Sequence, residues 1–71
     1  MDDYKMVYNR LIGLGRNGAD RDDLVNELRM RCNKGYELSD DKSLMVGHFD
    51  NGLIIISEGG IDMYHTCEEI D

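Results

Sequence analysis

The side chains that could hold a metal or attack a substrate are few. Cys32, Cys67, His48 and His65 supply the thiols and imidazoles, and Ser39 and Ser43 are hydroxyls flanking a polar turn. Zinc sites built on loops and helices space their ligands as Cys-x-x-Cys or His-x-x-x-His, and neither spacing occurs. His65-x-Cys67 is a two-residue step, which on a strand turns both side chains to one face; two ligands alone do not close a site. The expectation is therefore no metal and no cofactor, with packing cysteines and rim histidines. Cys–His nucleophilic catalysis needs a base, an orienting group and an oxyanion hole around a pocket. A chain of 71 residues has little interior from which to build one. Asp40-Asp41 and Glu68-Glu69 are adjacent acids whose side chains diverge on a strand or turn, so neither makes a general acid/base pair. The implied protein is not an enzyme.

One segment carries a different chemistry. Gly13-Leu14-Gly15-Arg16-Asn17-Gly18 matches G-x-G-x-x-G and locally resembles a dinucleotide-binding fingerprint, with Glu37 near the place of the ribose-binding acid. The resemblance implies glycines that let the backbone approach a pyrophosphate at a helix N-terminus. Three features oppose it. Lys5, Asn9 and Arg10 interrupt what should be a buried strand. Asp20, Asp22 and Asp23 crowd the anion site with negative charge, and the chain is too short for a doubly wound sheet. A glycine-rich loop between two helices is the simpler expectation, and nucleotide or small-ligand binding through Gly13–Gly18 is the third functional alternative.

Charge points elsewhere. Of the net −7, residues 1–42 contribute −1, from nine acids and eight bases. Residues 43–71 contribute −6, from Asp50, Glu58, Asp62, Glu68, Glu69 and Asp71 with no Lys or Arg. Direct binding to nucleic-acid phosphate needs the opposite sign. The chain opens acidic at Met1-Asp2-Asp3, without the basic start of a signal peptide, and no apolar run approaches the roughly 20 residues of a membrane helix. Two cysteines are no disulfide framework. A cytoplasmic protein with free thiols is expected. Hydrophobic residues make up 41%, enough for a core.

The elements that must position these residues read as one α+β domain over 1–71: a helical half over 1–38, a β-meander over 43–66 and an acidic tail over 67–71. Asp2 or Asp3 caps a first helix in which Tyr4, Val7, Tyr8, Leu11 and Leu14 recur at helical spacing, and Gly13, Gly15 and Gly18 end it. A second helix over 20–34 starts at Asp20 and carries Leu24, Val25, Leu28 and Cys32 on one stripe. Its acids come first and its bases last, as the helix dipole favours. Gly35 is placed as its left-handed terminator, with Tyr36 packing back over the last turn. From Ser43 the period changes to that of strands. Ser43–Phe49, Leu53–Ser57 and Ile61–Thr66 are three strands joined at Asp50-Asn51-Gly52 and Glu58-Gly59-Gly60.

With Asp50-Asn51-Gly52 as a three-residue loop, Phe49 opposes Leu53 and Gly47 opposes Ile55. One sheet face then carries Met45, Phe49, Leu53 and Ile55, the other Leu44, Val46, Ile54 and Ile56. Two helices cover one face, so the first set is expected to meet a second copy of the chain or a partner. The expected function is non-catalytic protein binding: a small acidic inhibitor or DNA-mimic-like protein docking on a basic, nucleic-acid-binding partner through Asp50, Glu58, Asp62, Tyr64, Glu68, Glu69 and Asp71. The alternative is a small DNA-binding regulator using Arg16, Arg21, Arg29, Arg31 and Lys34 of the two-helix half.

Overall fold

The computed structural model describes residues 3–66. They form two helices followed by a four-stranded antiparallel sheet: α1 (Tyr4–Arg16), α2 (Arg21–Arg31), β1 (Tyr36–Leu38), β2 (Met45–His48), β3 (Gly52–Ser57) and β4 (Gly60–His65). The sheet order is β1-β2-β3-β4, a simple meander. The class is α+β, with one strand more than the sequence suggests. No described helix is long and apolar enough to cross a membrane.

Each helix begins on an aspartate whose carboxylate accepts an otherwise unpaired N–H of the first turn: Met6 N–H donates to Asp3 and Asp23 N–H to Asp20, both at 3.0 Å. α1 runs through Gly13 and Gly15 and stops at Asn17, before Gly18 at φ +101°. The expectation that Gly13 ends the helix is thus corrected: Gly13 and Gly15 are helical, and the connection reduces to residues 17–20. α2 ends at Arg31, three residues earlier than expected. Gly35 has the left-handed φ of +99°, but it opens β1 rather than closing the helix. Tyr36 accordingly lies on β1, half exposed, and does not fold back over α2.

The core joins one stripe of each helix to one sheet face. Tyr4, Val7 and Leu11 of α1 and Val25 and Leu28 of α2 are buried against Met45, Phe49, Ile54 and Ile56. Two glycines set how close the layers come. A Cβ on Gly52 would lie 2.6 Å from the Tyr4 ring, and one on Gly47 would lie 2.9 Å from Leu28 Cγ and Cδ1. The Tyr4 hydroxyl and His65 Nδ1 hydrogen-bond at 2.9 Å, and the Tyr8 hydroxyl donates to the Ile61 carbonyl at 3.4 Å, so α1 grips β4 as well. Between the helices, Glu27 accepts from Arg10 Nε at 2.5 Å and from Arg31. These two guanidinium bonds, Arg31 first, hold the Glu27 carboxyl below its ordinary range.

The β2–β3 register corrects the assignment of faces. Phe49 N–H donates to the Gly52 carbonyl, which makes Asp50-Asn51 a two-residue loop, and His48, not Phe49, opposes Leu53. A shift of one residue turns every side chain of one strand over. The proposed self-association set therefore does not share a face. Met45 and Phe49 are buried under the helices, while Leu53 and Ile55 look outward. The cause is steric: Gly52 is taken into the strand because that position lies under Tyr4.

Three substitutions test this packing in urea denaturation. Leu28→Ala removes a fully buried side chain and is expected to cost about 2–4 kcal/mol. Gly52→Ala is expected to cost about 1–3 kcal/mol by overpacking against Tyr4. Gly13→Ala, where an added Cβ meets nothing within 4 Å, is expected to stabilise by about 0.5–1 kcal/mol, since it replaces glycine inside a helix.

Candidate functional site

The sheet has a second face, and no described helix lies on it. Cross-strand partners share a face, so the register gives its composition directly. One row runs across all four strands: Glu37, Val46, Ile55, Asp62. The next row is His48, Leu53, Tyr64. Val46, Leu53 and Ile55 are half-buried by one another, and Tyr64 is 53% exposed. Leu44, just before β2, is also exposed. The outcome is an apolar centre with a carboxylate at each end of its longer row, and no Lys or Arg in either row. His48 Nε2 lies 3.8 Å from Glu37 Oε2, so a protonated His48 is placed to pair with that carboxylate.

The expected acidic residues are only partly gathered. Asp62 and Tyr64 alternate on β4 and lie side by side on the outer face. Asp50 sits in the β2–β3 turn, 3.5 Å from Lys34 Nζ, and Glu58 in the β3–β4 turn. These two turns lie at opposite ends of β3, about 17 Å apart for a strand of that length. Glu68, Glu69 and Asp71 lie outside the described residues. Among the described residues the acids of the C-terminal half thus do not form one surface; Asp62 alone adjoins the apolar face. Sequence reasoning missed Glu37, Val46 and His48, because it lacked β1 and held β2 one residue out of phase with β3.

The loop that brings β1 alongside β2 is held by Asp41. Its Oδ1 accepts from the Ser43 N–H (3.0 Å), the Ser43 hydroxyl (2.8 Å) and the Ser39 hydroxyl (2.9 Å). The Leu44 N–H in turn donates to Ser39 Oγ, and Lys42 adopts φ +62° to close the turn. Ser39 and Ser43 are therefore turn-forming hydroxyls. Donation to the ionised form lowers the Asp41 pKa from 3.8 to about 2.

The other candidates are dispersed. Cys32 is half-buried, its Sγ is 3.7 Å from the Arg29 carbonyl, and burial pushes its thiol pKa up, away from nucleophilic reactivity. His65 is engaged by Tyr4, and Cys67 lies outside the described residues. No three His, Cys, Asp or Glu side chains converge among the described residues. Gly13 and Gly15 occupy the last turns of α1 rather than a strand-to-helix loop. Of the bases proposed to meet DNA, Arg31 pairs with Glu27, Lys34 with Asp50, and Arg21 Nη2 donates to the Ser43 carbonyl at 2.7 Å.

A pH titration tests the Asp41 loop. A carboxyl whose pKa is depressed on folding stabilises the fold above its ordinary value and loses that contribution as pH falls through the folded one. Exchange protection of the Ser43 amide is therefore expected to persist at pH 4 and above and to be lost progressively toward pH 2. Asp41→Asn is expected to weaken that protection at neutral pH and remove its acid step. An unchanged acid step in Asp41→Asn would show that another group controls the loop.

Comparison with protein-family models, with curated proteins and with solved structures finds no match to this chain, so the functional reading rests on the residues of the outer sheet face.

Proposed function

We propose that this domain is a non-catalytic protein-binding module that docks on a basic partner, in the manner of a small inhibitor or DNA-mimic-like protein. The observation that carries the reading is the Glu37–Val46–Ile55–Asp62 row: an apolar strip, open to solvent, with a carboxylate at each end. Apolar area supplies the favourable free energy of association, while flanking charge steers the encounter and selects the partner. Tyr64, 53% exposed beside Leu53, is the natural anchor, since an aromatic ring on a strand buries much area with little loss of conformational freedom. The net charge of −7 adds a long-range attraction to any basic surface. A partner that normally holds nucleic-acid phosphate fits the sign of this face, and the domain is expected to compete with DNA or RNA for such a partner.

The test is affinity capture from a native lysate across a salt series. Attraction of this kind is screened within about 10 Å at 0.1 M salt, so capture is expected to weaken as salt rises. Reversing Glu37 and Asp62 together to Lys is expected to reduce affinity by roughly tenfold or more, with most of the loss in the association rate. Capture that ignores both salt and the double reversal would leave the acids as solubility residues. A tight complex with duplex DNA would overturn the reading in favour of the helical half.

A further inference from the structure

A sheet in the order β1-β2-β3-β4 has two edges. The β1 edge is three residues long. The β4 edge runs six residues in unbroken register, from Gly60 opposite Ser57 to His65 opposite Gly52. It contains no Pro, no Lys and no bulge, and of the devices that usually protect an edge from pairing it carries a single charge, Asp62. Every residue on it except Ile61 is exposed, including Met63 at 40% and Tyr64 at 53%.

The hydrogen-bond phase shows which backbone groups face outward. Thr66 N–H donates to the Asn51 carbonyl at 2.9 Å, so Asn51 and Thr66 are a hydrogen-bonded pair. Antiparallel ladders alternate. Tyr64 and Asp62 therefore turn their N–H and C=O toward β3, while His65, Met63 and Ile61 turn theirs away from it. The Tyr8 hydroxyl, reaching the Ile61 carbonyl from α1, takes one of these outward groups and fits the same phase. The N–H and C=O of Met63 and His65 remain directed at the open edge.

We propose that β4 accepts an extended segment of a partner protein as a fifth strand, and that this segment alternates Lys or Arg with apolar residues. The choice of charge rests on the docking function proposed above; the strand geometry rests on β4 itself. In the added ladder the residue facing Asp62 occupies a non-hydrogen-bonded position, where Cα atoms approach to about 4.5 Å and side chains touch. A base there neutralises the one charged residue of β4. Its alternate neighbours turn to the other face, where Met63 and Tyr8 offer apolar surface. Backbone pairing supplies affinity and the alternation supplies specificity. A second copy of this chain fits less well. In the two-fold register that pairs Met63 with its equivalent, Asp62 meets Tyr64 and stays uncompensated, and two chains of −7 repel.

The experiment uses the full chain and two short synthetic peptides, one alternating Lys with Val and one with Glu in place of Lys. Amide exchange is followed residue by residue by NMR. The Lys peptide is expected to slow exchange at Met63 and His65 by about tenfold or more, a change typical of amides entering a ladder, with little change at Asp62 and Tyr64. The Glu peptide is expected to have no effect, and Asp62→Lys is expected to reverse the preference. Met63→Pro removes an outward N–H without touching the β3 ladder and is expected to abolish binding; should that variant unfold, amide protection in the unaltered chain decides. Binding of the Lys peptide without protection at Met63 and His65 overturns strand addition but leaves docking through the outer face intact. Failure of the Lys peptide to bind overturns strand addition to a basic segment, while salt-dependent capture sensitive to Glu37 and Asp62 still separately supports docking. Protection that grows with protein concentration alone assigns the edge to a second copy and overturns the proposal.

Discussion

The close approach of the helices to the sheet at two glycines is the constraint from which the rest of this structure follows. Tyr4 lies over Gly52 and Leu28 over Gly47, each within the space a Cβ would fill. Such contact brings backbone near side chain and lets a small interior reach the packing density of larger proteins. It also fixes the register. With Gly52 held under Tyr4, Phe49 and Gly52 close a two-residue loop, and Met45, Ile54 and Ile56 are turned inward together. The orientation of every outward side chain on β2, β3 and β4 follows from that arrangement.

The two helices cover one side of the sheet, and among the described residues no helix lies on the other. Val46, Leu53 and Ile55 are half-buried there, and Glu37 and Asp62 stand at the two ends of their row. In the docking proposed above, the same carboxylates select a cationic partner. On that proposal, one sign of charge both repels like copies and attracts the partner. The Asp41 turn contributes indirectly: by holding β1 against β2 it places Glu37 in the row.

Much of this was legible in the residues, and the failures have physical causes. The cap at Asp20, a cap at Asp2 or Asp3 that the fold places at Asp3, the apolar stripes of α1 and α2, and the three strands after Ser43 follow from local patterns and match the fold. Strand β1 left no such pattern. Tyr36-Glu37-Leu38 is three residues long and mostly exposed, and it exists because the neighbouring backbone bonds, Lys34 to His48 and His48 to Gly35, bring it alongside β2. The register is hidden from local sequence because Gly52 reads as a turn residue, whereas its requirement is set by an aromatic ring 48 positions earlier. Gly13 and Gly15 mislead in the reverse direction: local propensity favours a break, and burial of Leu11 with partial burial of Leu14 carries the helix through. The outer face was recognisable as a surplus of apolar positions, but its membership depended on a register that local sequence does not encode.

The hydrogen bond between Tyr4 and His65 spans 61 positions of the chain. During synthesis α1 emerges long before β4 exists, so the ring of Tyr4 has neither Gly52 nor His65 to dock on. At about 5–20 residues per second, the interval between the two ends of this bond is about 3–12 s. Throughout it the apolar stripe of α1 lacks the part of its cover that β4 supplies, while its partners Val25 and Leu28 of α2 are made early in the interval. Among the described elements β4 is the last in the chain, so its contacts with α1 become available after those of α2, β2 and β3. The Tyr4–His65 hydrogen bond can therefore form only once residue 65 has been synthesised and β4 has paired with β3.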